Sequence, residues 1–158
     1  MKATARILLV TGSRALEGSA SEEAAKAILH AVASAFRPSV VVAGDARGPD
    51  DWAASWADVH GCALRIYALD GWVYDERRTR ARLWRPVVEG EQPPASPLAR
   101  NVAMVRDIAR LRSRDVAAVQ ALGLEAKWSE RLGTAHTLGA ARAKGFEITR
   151  VTFEGGTG

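Results

Sequence analysis

The sequence predicts an α/β fold, a doubly wound sheet of about five parallel strands with helices on both faces, in the strand order 3-2-1-4-5. Two observations carry that prediction. Short, continuous apolar runs such as Ile7-Leu8-Leu9-Val10 and Val40-Val41-Val42-Ala43 alternate with longer amphipathic stretches. Each apolar run also stops at a turn rich in glycine, hydroxyl or charged residues, as strand-to-helix connections do. An apolar run without polar alternation is expected of a strand covered on both faces.

In chain order, the first strand ends in Thr11-Gly12-Ser13-Arg14. Ser19-Ala20-Ser21-Glu22 then reads as a capping box, with Ser19 as N-cap and Glu22 reaching back. Ala24, Ile28, Ala31, Val32, Ala35 and Phe36 follow as one helical stripe, which Pro38 closes. The second strand runs into Gly44-Asp45-Ala46-Arg47-Gly48. Pro49 opens the next helix, whose buried face is Trp52, Ala53, Trp56 and Ala57 and whose end is Gly61. Ala63 to Ala68 is the third strand.

Periodicity fails from Asp70 to Ser96, so residues 70–97 are expected to form a long insertion or loop. A short arginine-rich helix within Asp75 to Trp84 is the other reading of part of it. Ser96-Pro97 opens a third helix, with Leu98, Val102, Val105 and Ala109 on one face. Val116 to Val119 is the fourth strand, and Gly123 to Leu132 a loop carrying Trp128. Gly133-Thr134 begins the last helix, Lys144-Gly145 ends it, and Phe146 to Phe153 is the fifth strand. Residues 154–158 read as a frayed tail, and the whole of 1–158 as one domain.

Composition narrows the function classes. No apolar stretch approaches membrane-span length, and Ile7 to Val10 is too short for a signal-peptide core, so the expected location is the cytoplasm, with no membrane partner. Cys62 is the single cysteine and reads as a buried filler; with three scattered histidines it gives no metal spacing. A net charge of +4 attracts anions without choosing between a phosphate ligand and nucleic acid. The arginine cluster Arg77, Arg78, Arg80, Arg82 and Arg85 leaves the same choice open.

Ligands of doubly wound sheets bind outside the carboxyl ends of the strands, and four candidate clusters collect there. At Thr11-Gly12-Ser13-Arg14, glycine permits close backbone approach, the hydroxyls donate and the arginine forks onto phosphate. Gly44, Asp45, Arg47, Gly48 and Asp50 form the second. Its structural alternative is that Asp50 complements the helix dipole while Arg47 pairs with a neighbouring carboxylate. Arg100 and Asn101, with Met104 one turn later, start the third helix, and Gly133-Thr134 starts the fourth. Neither a dinucleotide fingerprint nor a P-loop is present. Trp72, Trp84 and Trp128 fall outside the helices and strands, as base-stacking or dimer-contact residues. His136 stands near the crevice, as a ligand contact or a helix-surface residue, with no orienting partner in the sequence.

The segments TGSR, GDARGPDDWAASWA, RNVAMV and GTAHTLGAARAKG together resemble the SLOG superfamily, in its YspA/YpsA-related branch of small bacterial and phage proteins. The likeness covers Ile7 to Val151 and extends to the LOG-type phosphoribohydrolases and the DNA-processing protein DprA. It implies a Rossmann-like domain that binds or processes a nucleotide-derived small molecule. Gly12, Ser13, Arg14, Gly44, Arg47, Gly48 and Asp50 fall on its ligand loops, Arg100 and Met104 on its R-x-x-x-M pattern, and Trp72 on a tryptophan after the third strand. The hydrolase motif P-G-G-x-G-T-x-x-E survives only as Gly133-Thr134. Glu130 and Arg131 replace its first glycines, and Thr137 holds the catalytic glutamate position. Threonine supplies no carboxylate acid or base, so the leading expectation is binding or sensing. Hydrolysis by a replacement carboxylate (Asp45, Asp50 or Glu130) and nucleic-acid binding are the alternatives. The ligand, any cofactor and the oligomeric state stay open, a homo-oligomer included.

Overall fold

A computed structural model describes residues 5–75, 79–83, 96–112, 116–129 and 133–154. Its elements are β1 (Ala5–Gly12), α1 (Glu22–Phe36), β2 (Val40–Gly44), α2 (Pro49–His60), β3 (Ala63–Tyr67), β4 (Trp72–Asp75), β5 (Thr79–Leu83), α3 (Pro97–Arg112), β6 (Val116–Ala126), α4 (Gly133–Ala143) and β7 (Glu147–Phe153), with a short 3-10 turn at Arg14–Leu16. The sheet order is β5-β4-β3-β2-β1-β6-β7. Five of these strands, β3-β2-β1-β6-β7, are parallel neighbours and form the expected doubly wound sheet.

Strand periodicity divides the core into two layers. Leu8 and Val10 of β1, Val41 and Ala43 of β2, and Leu122 and Leu124 of β6 pack with α1 and α2. Their alternating neighbours Ile7, Leu9, Val42, Val119 and Ala121 pack with Met104, Val105 and Ile108 of α3 and Leu138 and Ala141 of α4. The apolar runs are continuous because both faces are covered. The chain steps from β1 outward through β2 to β3 on one side, and β6 and β7 extend the sheet on the other, so the order reverses between the parallel strands β1 and β6 and sets the crevice of the fold there.

Several local expectations are corrected. Residues 72–75 and 79–83 form an antiparallel hairpin on the edge of β3, not a helix or structureless loop, and so extend the sheet beyond the expected five strands. Ala68 donates its N–H to the Trp72 carbonyl at 3.0 Å, and Gly71 supplies the φ of 91° that this turn requires. Residues 84–95, with Trp84 and Arg85, lie outside the described residues, as do Arg77 and Arg78. β6 runs on to Ala126 through Gly123, because a Cβ there would meet Leu138 Cδ1 at 2.4 Å; the glycine admits α4 rather than ending the strand.

Helix faces also shift. On α1 the buried residues are Ala25, Leu29, Ala33 and Phe36, with Ala24, Ala31 and Ala35 exposed. On α3 they include Ala103, Met104, Val105 and Ile108, while Leu98 is exposed. The capping box does not form. Ser21 is the N-cap of α1, Ser19 Oγ donates to the Leu16 carbonyl at 2.7 Å, and Glu22 accepts from the Gly18 N–H at 3.2 Å. Cys62 is half-buried rather than sealed, with its Sγ donating to the Pro38 carbonyl at 3.2 Å.

α1 ends in the left-handed region at Arg37, with φ 56° and ψ 62°, where a side chain is strained. Arg37→Gly is expected to raise stability by roughly 0.5–1 kcal/mol, read as a higher urea midpoint at unchanged slope. A lower midpoint would mean that the arginine contributes more than its backbone costs.

Candidate functional site

The turn after β1 and the turn after β2 are built into one another. A Cβ on Gly12 would lie 2.3 Å from Pro49 Cγ and 2.8 Å from the Leu124 carbonyl oxygen, so the proline that starts α2 occupies the space a side chain would take. Gly48, the N-cap of α2, has φ 79°, and its Cβ would sit 3.3 Å from the Ser13 carbonyl oxygen and 3.5 Å from Arg14 Cα. Ser13 is tied to β6 through its N–H, which donates to the Leu124 carbonyl at 2.9 Å. Arg14 and Arg47 are therefore carried on two touching turns, and both are exposed. Thr11 is buried.

Gly44, at the end of β2, is the point where the two sides of the sheet meet. Its Cβ would lie 2.5 Å from Arg100 Cζ and 2.7 Å from Asp50 Oδ2. Arg100 arrives from α3, whose start is capped by Ser96 Oγ accepting from the Ala99 N–H at 3.2 Å. Arg100 is only 4% exposed, with Nε donating to Asn101 Oδ1 at 2.8 Å and Nη1 to Asp45 Oδ1 at 2.6 Å. Arg100 thus pins the second turn by holding Asp45, whose other oxygen accepts from the Leu69 N–H at 3.3 Å.

Asp50 comes from the first turn of α2, where the helix dipole favours a carboxylate. Burial outweighs that preference and pushes its carboxyl up to about 7; the Arg100 guanidinium and the Ala46 N–H pull it down less, and Asp45 and Asp51 push it further up. The Ala46 N–H donates to Asp50 Oδ2 at 3.3 Å and closes the turn. A cavity of about 330 Å³ opens beside it, between α2 and the β3–β4 edge, with Asp45, Asp50, Asp51, Asp70, Ala54 and Tyr74 in its lining.

The structure brings the first three sequence clusters together. Gly133-Thr134 lies one strand over: a Cβ on Gly123 would sit 3.1 Å from Thr134 Cγ2, and Gly123 pairs in register with Thr11. Met104 is 1% exposed inside the core, and Trp72 is half-buried on β4. Thr137 is fully buried, and its hydroxyl donates back to the Gly133 carbonyl at 2.9 Å, so its side chain is spent on the helix itself. His136 is exposed on α4. Glu130 lies outside the described residues. Trp52 is in the core, whereas Trp56 is half-buried and stacks on His60 at 4.1 Å. Trp128 is 36% exposed.

Sequence reasoning missed Asp51, Asp70 and Tyr74. Asp70 carries a signal in hindsight, since Asp70-Gly71 before Trp72-Val73-Tyr74 is hairpin chemistry. Its Oδ1 accepts from the Trp72 N–H at 2.9 Å and its Oδ2 from the Tyr74 hydroxyl, fixing one wall of the cavity.

Comparison with known proteins finds no matching family model, curated protein or solved structure. No helix among the described residues is long and apolar enough to cross a membrane.

Proposed function

We propose that the protein binds a nucleotide-derived, phosphate-bearing small molecule at the carboxyl ends of β1 and β2. The observation that carries this reading is the contact of the Ser13-Arg14 turn with the Arg47-Gly48 turn, which sets two exposed arginines beside the start of α2. Two guanidiniums beside the N-terminus of a helix are suited to phosphate. Arg100 serves this site from below, by fixing Asp45 and hence the turn, rather than by exposing its own charge. On this reading the protein acts in the cytoplasm on a diffusible ligand, and a homo-oligomer is compatible with it.

One observation favours hydrolysis as the second reading. Asp50 holds a proton close to neutral pH inside a cavity, as a general acid does. The resemblance to the SLOG superfamily supports both readings, and the loss of a carboxylate at Thr137 favours binding.

The test is a thermal-shift screen against AMP, ADP-ribose, NAD and cyclic AMP, with the compounds recovered and weighed by mass spectrometry. A saturable shift with at least one compound is expected, weakened about tenfold or more by the double change Arg14→Ala and Arg47→Ala. Both residues are exposed, so the fold should survive the substitutions. The reading fails if no compound shifts the transition, or if the double variant binds as well as the parent. Breakdown of the bound compound would establish the hydrolase.

A further inference from the structure

The chain is basic, with a net charge of +4, yet the cavity between α2 and the β3–β4 edge is acidic. Its carboxylates are not equivalent. Both oxygens of Asp45 are engaged, by Arg100 and by the Leu69 N–H. Both oxygens of Asp70 are engaged too, by the Trp72 N–H and the Tyr74 hydroxyl. Asp50 is 94% buried, being 6% exposed, and Oδ2 takes the Ala46 N–H. Oδ1 of Asp50 accepts no hydrogen bond among the described residues, and the side chain lines the cavity.

Asp50 Oδ1 is not sealed inside the protein but opens to the cavity, where a donating group, best a cation, can meet it. The cation nearest to it, Arg100, is balanced by Asp45, and Asp51 adds a further negative charge to the same wall. Among the described residues no three His, Cys, Asp or Glu groups lie close enough to hold a metal ion. The demand is for one donating cation rather than a point charge shared by several ligands. A cavity of about 330 Å³ is at the small end of ligand-sized pockets and accommodates an organic end group.

We propose that this cavity is a recognition site for a protonated amine or amidinium group, seated on Asp50 Oδ1. The inference goes beyond phosphate binding at the Arg14–Arg47 turns and does not depend on it. The charged and titratable groups that face Asp50 are Arg100 from α3, Asp45 from the β2–α2 turn, Asp51 from α2, and Asp70 and Tyr74 across the cavity. A ligand cation favours the ionised form of Asp50. Because burial keeps that carboxyl protonated up to about pH 7, binding below that pH releases a proton, and affinity rises with pH until the carboxylate is fully formed.

The experiment is calorimetric titration of the whole protein with putrescine and with agmatine at pH 6 and pH 8, beside 1,4-butanediol as the neutral isostere and Mg²⁺ as the inorganic cation. Kd for the amines is expected to tighten about tenfold between the two pH values. Asp50→Asn should weaken them at least tenfold at pH 8, and Ala54→Leu, which fills the cavity, should do the same. The Arg14→Ala, Arg47→Ala double variant, whose changes lie outside the cavity lining, should retain amine binding, so failure of one site is separable from failure of the other. The proposal is overturned by a Kd independent of pH, by undiminished binding in Asp50→Asn or Ala54→Leu, by equal binding of butanediol, or by Mg²⁺ displacing the amines.

Discussion

Gly12→Ala is expected to cost on the order of 3–5 kcal/mol, enough to leave a domain of ordinary stability marginal. The added methyl would lie 2.3 and 2.5 Å from Pro49 Cγ and Cβ and 2.8 Å from the Leu124 carbonyl oxygen. None of these is the loose end of a flexible side chain. Pro49 is a rigid ring in the first turn of α2, and Leu124 is backbone in a central strand paired on both sides. Relief requires α2 to lift from β1, which takes Trp52, Ala53 and Ala57 out of the core. Gly44→Ala makes contacts nearly as short, but against the side-chain ends Arg100 Cζ and Nη1 and Asp50 Oδ2, which can shift at the expense of the Asp45 pair. Its cost should be smaller, and it should fall on ligand affinity as well as on stability. Thermal denaturation checks both: a drop in Tm of roughly ten degrees for Gly12→Ala, and a smaller one for Gly44→Ala. An unchanged Tm for Gly12→Ala would mean that the two turns are not interlocked.

These glycines show how far the sequence could be read. Strands covered on both faces announce themselves by unbroken apolar runs, so β1, β2 and β3 were legible, as was the order of the parallel strands. Gly12, Gly44 and Gly48 stood out as turn residues, but what each admits comes from elsewhere in the chain, Pro49 in one case and Arg100 in another. The helix faces were harder. α1 carries alanines on every side, so residues 24, 31 and 35 fit a stripe as well as 25, 29 and 33 do, and only packing against β1 and β2 decides. Gly123 looked like a strand end because a glycine that makes room for a crossing helix and one that ends a strand are the same letter. The acid cavity was not legible. Its carboxylates come from the β2–α2 turn, from α2 and from the turn before β4, and the protonation of Asp50 depends on burial that no local pattern encodes.

The second large effect is the pH dependence of stability set by Asp50. Its carboxyl titrates at about 7 in the folded chain against a reference value of 3.8. Between those pH values the folded state holds a proton that the unfolded state has lost, so stability is greatest below about pH 4, falls as pH rises towards 7 and is level above it. The upper limit of that loss is roughly 4 kcal/mol. Asparagine keeps an oxygen for the Ala46 N–H and cannot ionise, so Asp50→Asn should remove the slope. Urea denaturation at pH 5 and pH 8 should show a larger advantage of the variant at pH 8, by roughly 1–3 kcal/mol. Parallel pH profiles for parent and variant would show that the carboxyl is not held protonated by burial. If the variant is both more stable and unable to bind amines, the stability that Asp50 forfeits near neutral pH is the cost of keeping an open acceptor in the cavity. That is the trade expected where a buried charge serves a ligand and not the fold.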